Sequence, residues 1–136
     1  RAAGQATLTG KHPRVLIIEF MGSDISVYGE ETLAGDILRR MNGELLASGQ
    51  QQISKEQIIE MDPDAIFVIL IEGDYDHPKQ KLDILYHEQA LRDVRCIREK
   101  RVYPLPLYSV YSSGIRTLDG IRYIGKGLYP DLYKEQ

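Results

Sequence analysis

Tryptophan is absent from this 136-residue sequence, phenylalanine occurs twice and cysteine once. The lone Cys96 cannot close an internal disulfide, and it says little about redox compartment. Lysine and arginine form no run, and the net charge is −3, so nucleic acid has no electrostatic footprint to grip. The longest apolar run, Ala65–Ile71, is far too short to span a bilayer, and no N-terminal signal pattern is seen. Enzyme signatures are missing as well. There is no Walker A sequence, no GxGxxG after a strand, no GxSxG elbow and no HExxH. The three histidines, His12, His77 and His87, lack the spacing of zinc ligands.

What is present is an ordinary globular composition, 43% hydrophobic and 27% charged, at a length that suits one domain with a real core. Tyrosine is abundant, with nine residues. A tyrosine combines an apolar ring with a polar tip and suits boundaries and binding surfaces.

Residues 1–10 are small and polar and read as a frayed lead-in. Val15–Phe20 is a continuous β-rich run, hence a buried strand. Met21–Gly29 reads as a turn-rich loop. Leu33, Ile37, Leu38 and Met41 line one helical face, with Gly43 placed to stop it. Ser54 and Gln57 form a capping box for a short helix, which Pro63 ends. Ala65–Ile71 is apolar on both faces, as a central parallel strand must be. The loop Glu72–Pro78 follows. Pro78 suits a first helical position, and Leu82, Leu85 and Leu91 mark a buried side. Val94–Glu99 reads as a short helix, Val102–Leu105 as the last strand, and Ile115–Leu128 as an amphipathic closing helix. Strands alternating with helices predict a three-layer α/β/α domain around a mainly parallel sheet.

In such a sheet the loops after the strands gather at one edge. Tyr28, Tyr75, Tyr108 and Tyr111 all fall in those loops and are the candidate ligand contacts. Tyr103, Tyr123 and Tyr129 lie in or beside regular elements and read as core or boundary residues. His77 sits beside Asp74, Tyr75 and Asp76; the cluster suits a cation or, equally, a solvated acidic loop ahead of a helix. Arg116 opens the last helix from the same edge, either as an anion contact or as a solvent-exposed charge. Glu56 lies in the first turn of its helix, where the macrodipole alone favours an acid.

Five segments, in order, carry a family resemblance. They are PRVLIIEF, YGEETLAGDILRRMNG, ISKEQIIEMDPDAIFV with its capped helix, Asp-Pro-Asp and strand, LRDVRCIREKRVYPLP, and SSGIRTLDGIRYIGKGLYPDLY. Together they resemble the C-terminal lobe of the substrate-binding proteins of iron-siderophore, heme and cobalamin ABC transporters, whose two lobes are joined by one long helix. The resemblance implies that residues 1–13 are the remnant of an interlobe connection and 14–136 the lobe. It implies a non-enzymatic, extracytoplasmic protein, periplasmic or lipid-anchored, with no cofactor or metal of its own. Its ligand would be a ferric siderophore or heme, with a corrinoid as the alternative; Gln50 stands where some cobalamin binders carry a stacking tryptophan. The other partners implied are the missing N-terminal lobe and a membrane permease, whose arginines would meet Glu56. The competing readings are an independent metal-dependent enzyme or sensor domain built on Asp74, Asp76 and His77, and a half-size interaction module.

Overall fold

The computed structural model describes residues 12–47, 51–111 and 115–130, without the side chains of 111–118. The lead-in up to Lys11 lies outside the described residues. Six strands, β1 (Arg14–Met21), β2 (Asp24–Val27), β3 (Glu44–Leu45), β4 (Gln52–Ile53), β5 (Ala65–Leu70) and β6 (Val102–Pro106), form one sheet. The helices are α1 (Leu33–Arg40), α2 (Lys55–Met61), α3 (Pro78–Tyr86), α4 (Arg95–Arg98), α5 (Tyr108–Tyr111) and α6 (Ile115–Leu128), with a 3₁₀ turn at Gln89–Leu91. The strand order is β4-β2-β1-β5-β6, and β3 also pairs with β1. β1, β3, β5 and β6 are parallel; β2 and β4 run antiparallel to their neighbours. This is the mainly parallel α/β arrangement expected from the alternation of strands and helices.

Side chains alternate across a strand, and the two faces feed two separate cores. Val15, Ile17, Ala65, Phe67, Ile69 and Leu105 pack under α1, α5 and α6 through Ile37, Leu38, Val110, Ile124 and Leu128. Leu16, Ile18, Ile66, Val68 and Val102 pack under α2, α3 and α4 through Ile58, Leu85, Cys96 and Ile97. Every residue of β5 is buried, because helices cover both of its faces. Burial of each large side chain contributes about 1.5–3 kcal/mol. α6 lies close over this sheet because residue 127 is glycine. A Cβ there would stand 2.7 Å from Phe67 Cζ and 2.8 Å from Tyr103 Cδ2. β6 ends the strand order and carries Pro104 and Pro106. An edge position is where a sheet tolerates residues that lack a ladder donor.

Two expectations from the sequence are corrected. Met21–Gly29 is not simply a loop: Asp24–Val27 pairs back on β1, Ile18 opposite Val27 and Met21 opposite Asp24. The segment is a tight hairpin. Its four strand residues were hidden by the turn-forming Gly22 and Ser23 ahead of them. The predicted helix after Pro78 is also shorter than its apolar spacing suggested, ending at Tyr86 before the 3₁₀ turn carries Leu91 into the core.

The Asp62-Pro63-Asp64 step ties the start of three elements together. Asp62 caps α2 in a left-handed conformation (φ 46°), and its N–H donates to Ile58 O at 2.9 Å. Its carboxylate accepts from Arg95 N at 2.9 Å and Arg95 Nε at 3.2 Å. Asp64 accepts from Arg14 N at 2.9 Å and from the Arg95 guanidinium. The Arg14 guanidinium reaches back to Asp62 O at 3.2 Å. Replacing Asp64 with alanine removes the acceptor for a part-buried N–H and one arm of an ion pair. The expected cost is about 1–3 kcal/mol, read as a lower urea midpoint at unchanged slope. An unchanged midpoint would mean that the strands hold their register without this contact.

Candidate functional site

β1, β5 and β6 are parallel, so Met21, Leu70 and Pro106 end at the same edge of the sheet. The chain leaves that edge in three segments: the hairpin turn 22–23, the loop 71–77, and the short helix α5 after Leu107. Ile71 N–H donates to Asp74 Oδ2 at 3.0 Å, and His77 N–H to Asp74 O at 3.0 Å, so the loop folds over its own aspartate. Leu107 N–H donates to Leu70 O at 2.8 Å, and buried Ser109 Oγ to Pro106 O at 2.6 Å. These bonds hold the root of α5 beside the root of the 71–77 loop.

Two of the candidate tyrosines meet there. The rings of Tyr75 and Tyr108 are 5.3 Å apart at 84°, edge to face, a favoured aromatic geometry. Tyr75 stays 38% exposed. Met21 at 54% and Ile71 at 40% are exposed at the same edge. Ile59 at 43% and Ile84 at 50% are the other large apolar side chains left exposed among the described residues, both on helices.

The remaining candidates are placed differently. Tyr28 is carried back from the edge by β2; its N–H donates to Ile17 O at 2.9 Å and its hydroxyl to Glu19 Oε1 at 2.6 Å. It is a half-buried side chain against the first core cluster, not a residue of an open loop. His77 is exposed at the start of α3 and makes no side-chain cap. With Asp76, Pro78, Lys79 and Gln80 it lines a shallow cleft. Tyr111 closes α5 and Arg116 stands in the first turn of α6; their side chains lie outside the described residues.

Of the alternative cluster, Asp74 is engaged within its own loop and helix. Asp74 is turned onto Ile71 N–H and lies 3.6 Å from Lys81 Nζ. Among the described residues no three His, Cys, Asp or Glu side chains converge to hold an ion. Cys96 is fully buried, and burial pushes its thiol up to about 12, which removes it as a nucleophile.

One residue and one contact escaped the sequence reading. Glu19, hydrogen-bonded to Tyr28, carries no signal beyond its place in a strand. Tyr123, read as core or boundary, lies with its hydroxyl 3.4 Å from that of Tyr108. Nothing in the spacing of two tyrosines fifteen residues apart marks that contact. Glu56 is exposed on α2, where Ser54 accepts from Gln57 N–H at 3.2 Å and Gln57 Oε1 accepts from Ser54 N–H at 2.9 Å. Lys55 beside it is ion-paired with Glu88. Among the described residues no helix is long and apolar enough to cross a membrane.

Residues 1–108 match the periplasmic binding protein family. Over 115 residues the chain is 26% identical to an uncharacterized ABC transporter substrate-binding lipoprotein, YvrC, of Bacillus subtilis, covering 82% of this chain and 34% of that protein. It is 38% identical to a periplasmic binding protein from Veillonella parvula of known structure, with a TM-score of 0.87 over 98% of this chain and 43% of that one. An Fe3+-hydroxamate transport protein from Saccharomonospora viridis shares the fold at 16% identity, TM-score 0.72, over 94% of this chain and 45% of its own. The chain thus spans less than half the length of each of these relatives.

The tyrosines differ in acidity. Burial first, and then the Glu19 hydrogen bond, holds the Tyr28 phenol well above its ordinary range. The contact with Tyr108, then burial, pushes Tyr123 up to about 12 from 10.0. A raised phenol stabilises the fold fully below the unfolded value and loses that contribution as pH rises through the folded one. An alkaline absorbance titration should therefore show late phenols at Tyr28, Tyr86 and Tyr123, and stability should fall between pH 10.0 and about 12 as Tyr123 ionises. Tyr123→Phe should remove one late phenol; its persistence would assign the delay elsewhere.

Proposed function

Because the chain belongs to the periplasmic binding protein family, we propose that it is the C-terminal lobe of the substrate-binding component of an ABC importer for an iron complex, a ferric siderophore or heme. The observation that carries this reading is the meeting of Tyr75 and Tyr108 at 5.3 Å, on an edge where Met21 and Ile71 are exposed. In open α/β sheets ligands bind beyond the carboxyl ends of the strands. A bulky chelate suits rings and apolar side chains for shape, with few polar anchors. His77 and the tyrosines supply groups of the kind that ligate or hydrogen-bond an iron chelate or heme, and Arg116 supplies an anion contact. The missing N-terminal lobe covers the other side of the ligand. The protein works outside the cytoplasm, carries out no chemistry on its cargo, and leaves the energy of transport to the partner ATPase.

The test is a binding screen of the full-length protein against a ferric trihydroxamate, a ferric catecholate, heme and cobalamin. An iron complex should bind, and Tyr75→Ala should weaken it about tenfold, the scale of one good aromatic contact. Binding of cobalamin alone, or an unchanged affinity in Tyr75→Ala, would overturn this reading.

Glu56 is proposed as the permease contact. The capping box fixes its turn and Glu88 engages the neighbouring lysine, so the carboxylate is presented outward. A charge of this kind steers encounter more than it adds affinity. Glu56→Arg should lower uptake while leaving chelate affinity intact. Normal uptake would reduce Glu56 to a favourable helix-end charge.

A further inference from the structure

The tyrosine contact at the strand ends continues into the closing helix. Tyr75 rests edge-on against Tyr108, whose hydroxyl lies 3.4 Å from Tyr123 Oη. The three residues come from three elements: the loop after β5, the start of α5, and α6. Tyr75 is exposed, and Tyr108 and Tyr123 are both partly buried. The Tyr123 ring packs against the first core cluster and also lines a surface cleft with Asp119, Arg122 and Lys126.

The approach of α5 to α6 that makes this row possible depends on residue 120. A Cβ at Gly120 would stand 2.6 Å from Ser109 O and 2.9 Å from Val110 Cγ1. Only glycine lets the backbone of α5 lie that close. The α5 root is itself bonded to the ends of β5 and β6, through Leu107 N–H to Leu70 O and Ser109 Oγ to Pro106 O. The Tyr108 side chain touches both the open loop, through Tyr75, and α6, through Tyr123. A phenol carries its proton at neutral pH, so the pair has a hydrogen to share.

We propose that Tyr123 is a positioning residue for the ligand-facing loops, setting the Tyr108 ring through their hydroxyl contact and thereby the height at which Tyr75 and the 71–77 loop are presented. This inference rests on the reading that those loops face the ligand, but its first test needs no ligand. Tyr123→Phe keeps the ring and its packing and removes only the hydroxyl.

In the full-length protein, Tyr123→Phe should leave the melting temperature within about 3 °C of wild type. Amide hydrogen exchange should rise about threefold or more in 71–77, while β1 and β5 keep their protection. Tyr108→Phe should do the same. The double variant should be no worse than either single one, because both remove one shared contact. Gly120→Ala, which displaces α5, should loosen the same loop. For a ferric trihydroxamate, Tyr123→Phe should raise Kd about three- to fivefold. Unchanged exchange in 71–77 for both phenylalanine variants, or additive effects in the double variant, would overturn the inference. The two readings fail separately. If Tyr75→Ala weakens the chelate while Tyr123→Phe alters neither exchange nor Kd, only the positioning role falls. If Tyr123→Phe loosens the loop but the wild type binds no chelate, or Tyr75→Ala binds it unchanged, the ligand reading falls and the positioning role stands.

Discussion

The register between β1 and β5 is the constraint on which the rest of the structure depends. A slip of one residue would turn every side chain of a strand to the opposite face. With two cores of different composition, that would misplace both. The register is set at the lower edge by reciprocal bonds: Asp64 N–H to Arg14 O at 2.7 Å, and Arg14 N–H to Asp64 Oδ2 at 2.9 Å. Arg95 then crosses both aspartates and brings in the start of α4. Pro63 between them ends α2 and sends the chain into β5. The Asp-Pro-Asp step is thus explained by geometry alone. It needs acceptors on both sides of a residue that cannot continue a helix.

Closing one edge in this way leaves the other to vary. The hairpin turn, the 71–77 loop and α5 all leave the carboxyl ends of strands whose positions are already determined. Rigid strands with polar, aromatic connections are a common basis for binding surfaces. Here the exposed apolar residues at that edge, Met21, Ile71 and Tyr75, sit directly beyond the best-buried strands in the sheet. The contrast is a consequence of parallel order. Side chains inside the strands are sandwiched between helical layers, and Met21 at the end of β1 and Ile71 just past β5 are left exposed.

How far this was legible in the sequence depends on how each element announces itself. β5 is apolar at every position and could only be a covered central strand. The capping box of Ser54 and Gln57 is local chemistry and formed as spelled. The antiparallel β2 and the two-residue strands β3 and β4 were not legible. Such short pieces have no period to detect, and they exist because a neighbour offers hydrogen bonds. Misreading β2 as loop also misplaced Tyr28. A strand that doubles back takes its last residue away from the edge it came from.

The sequence by itself determined the long strands and helices, which of their faces are apolar, and that the loops after β5 and β6 share an edge, because these follow from residue period, turn chemistry and the handedness of parallel crossovers. Only the tertiary structure decided which tyrosines touch. Tyr75 finds Tyr108 across a gap of more than thirty residues, and Tyr108 finds Tyr123 because Gly120 lets one helix lie against another. Such contacts depend on the separation and rotation of packed elements to within an ångström or so, and that distance is set by the sum of all the packing around them rather than by any residue pattern along the chain.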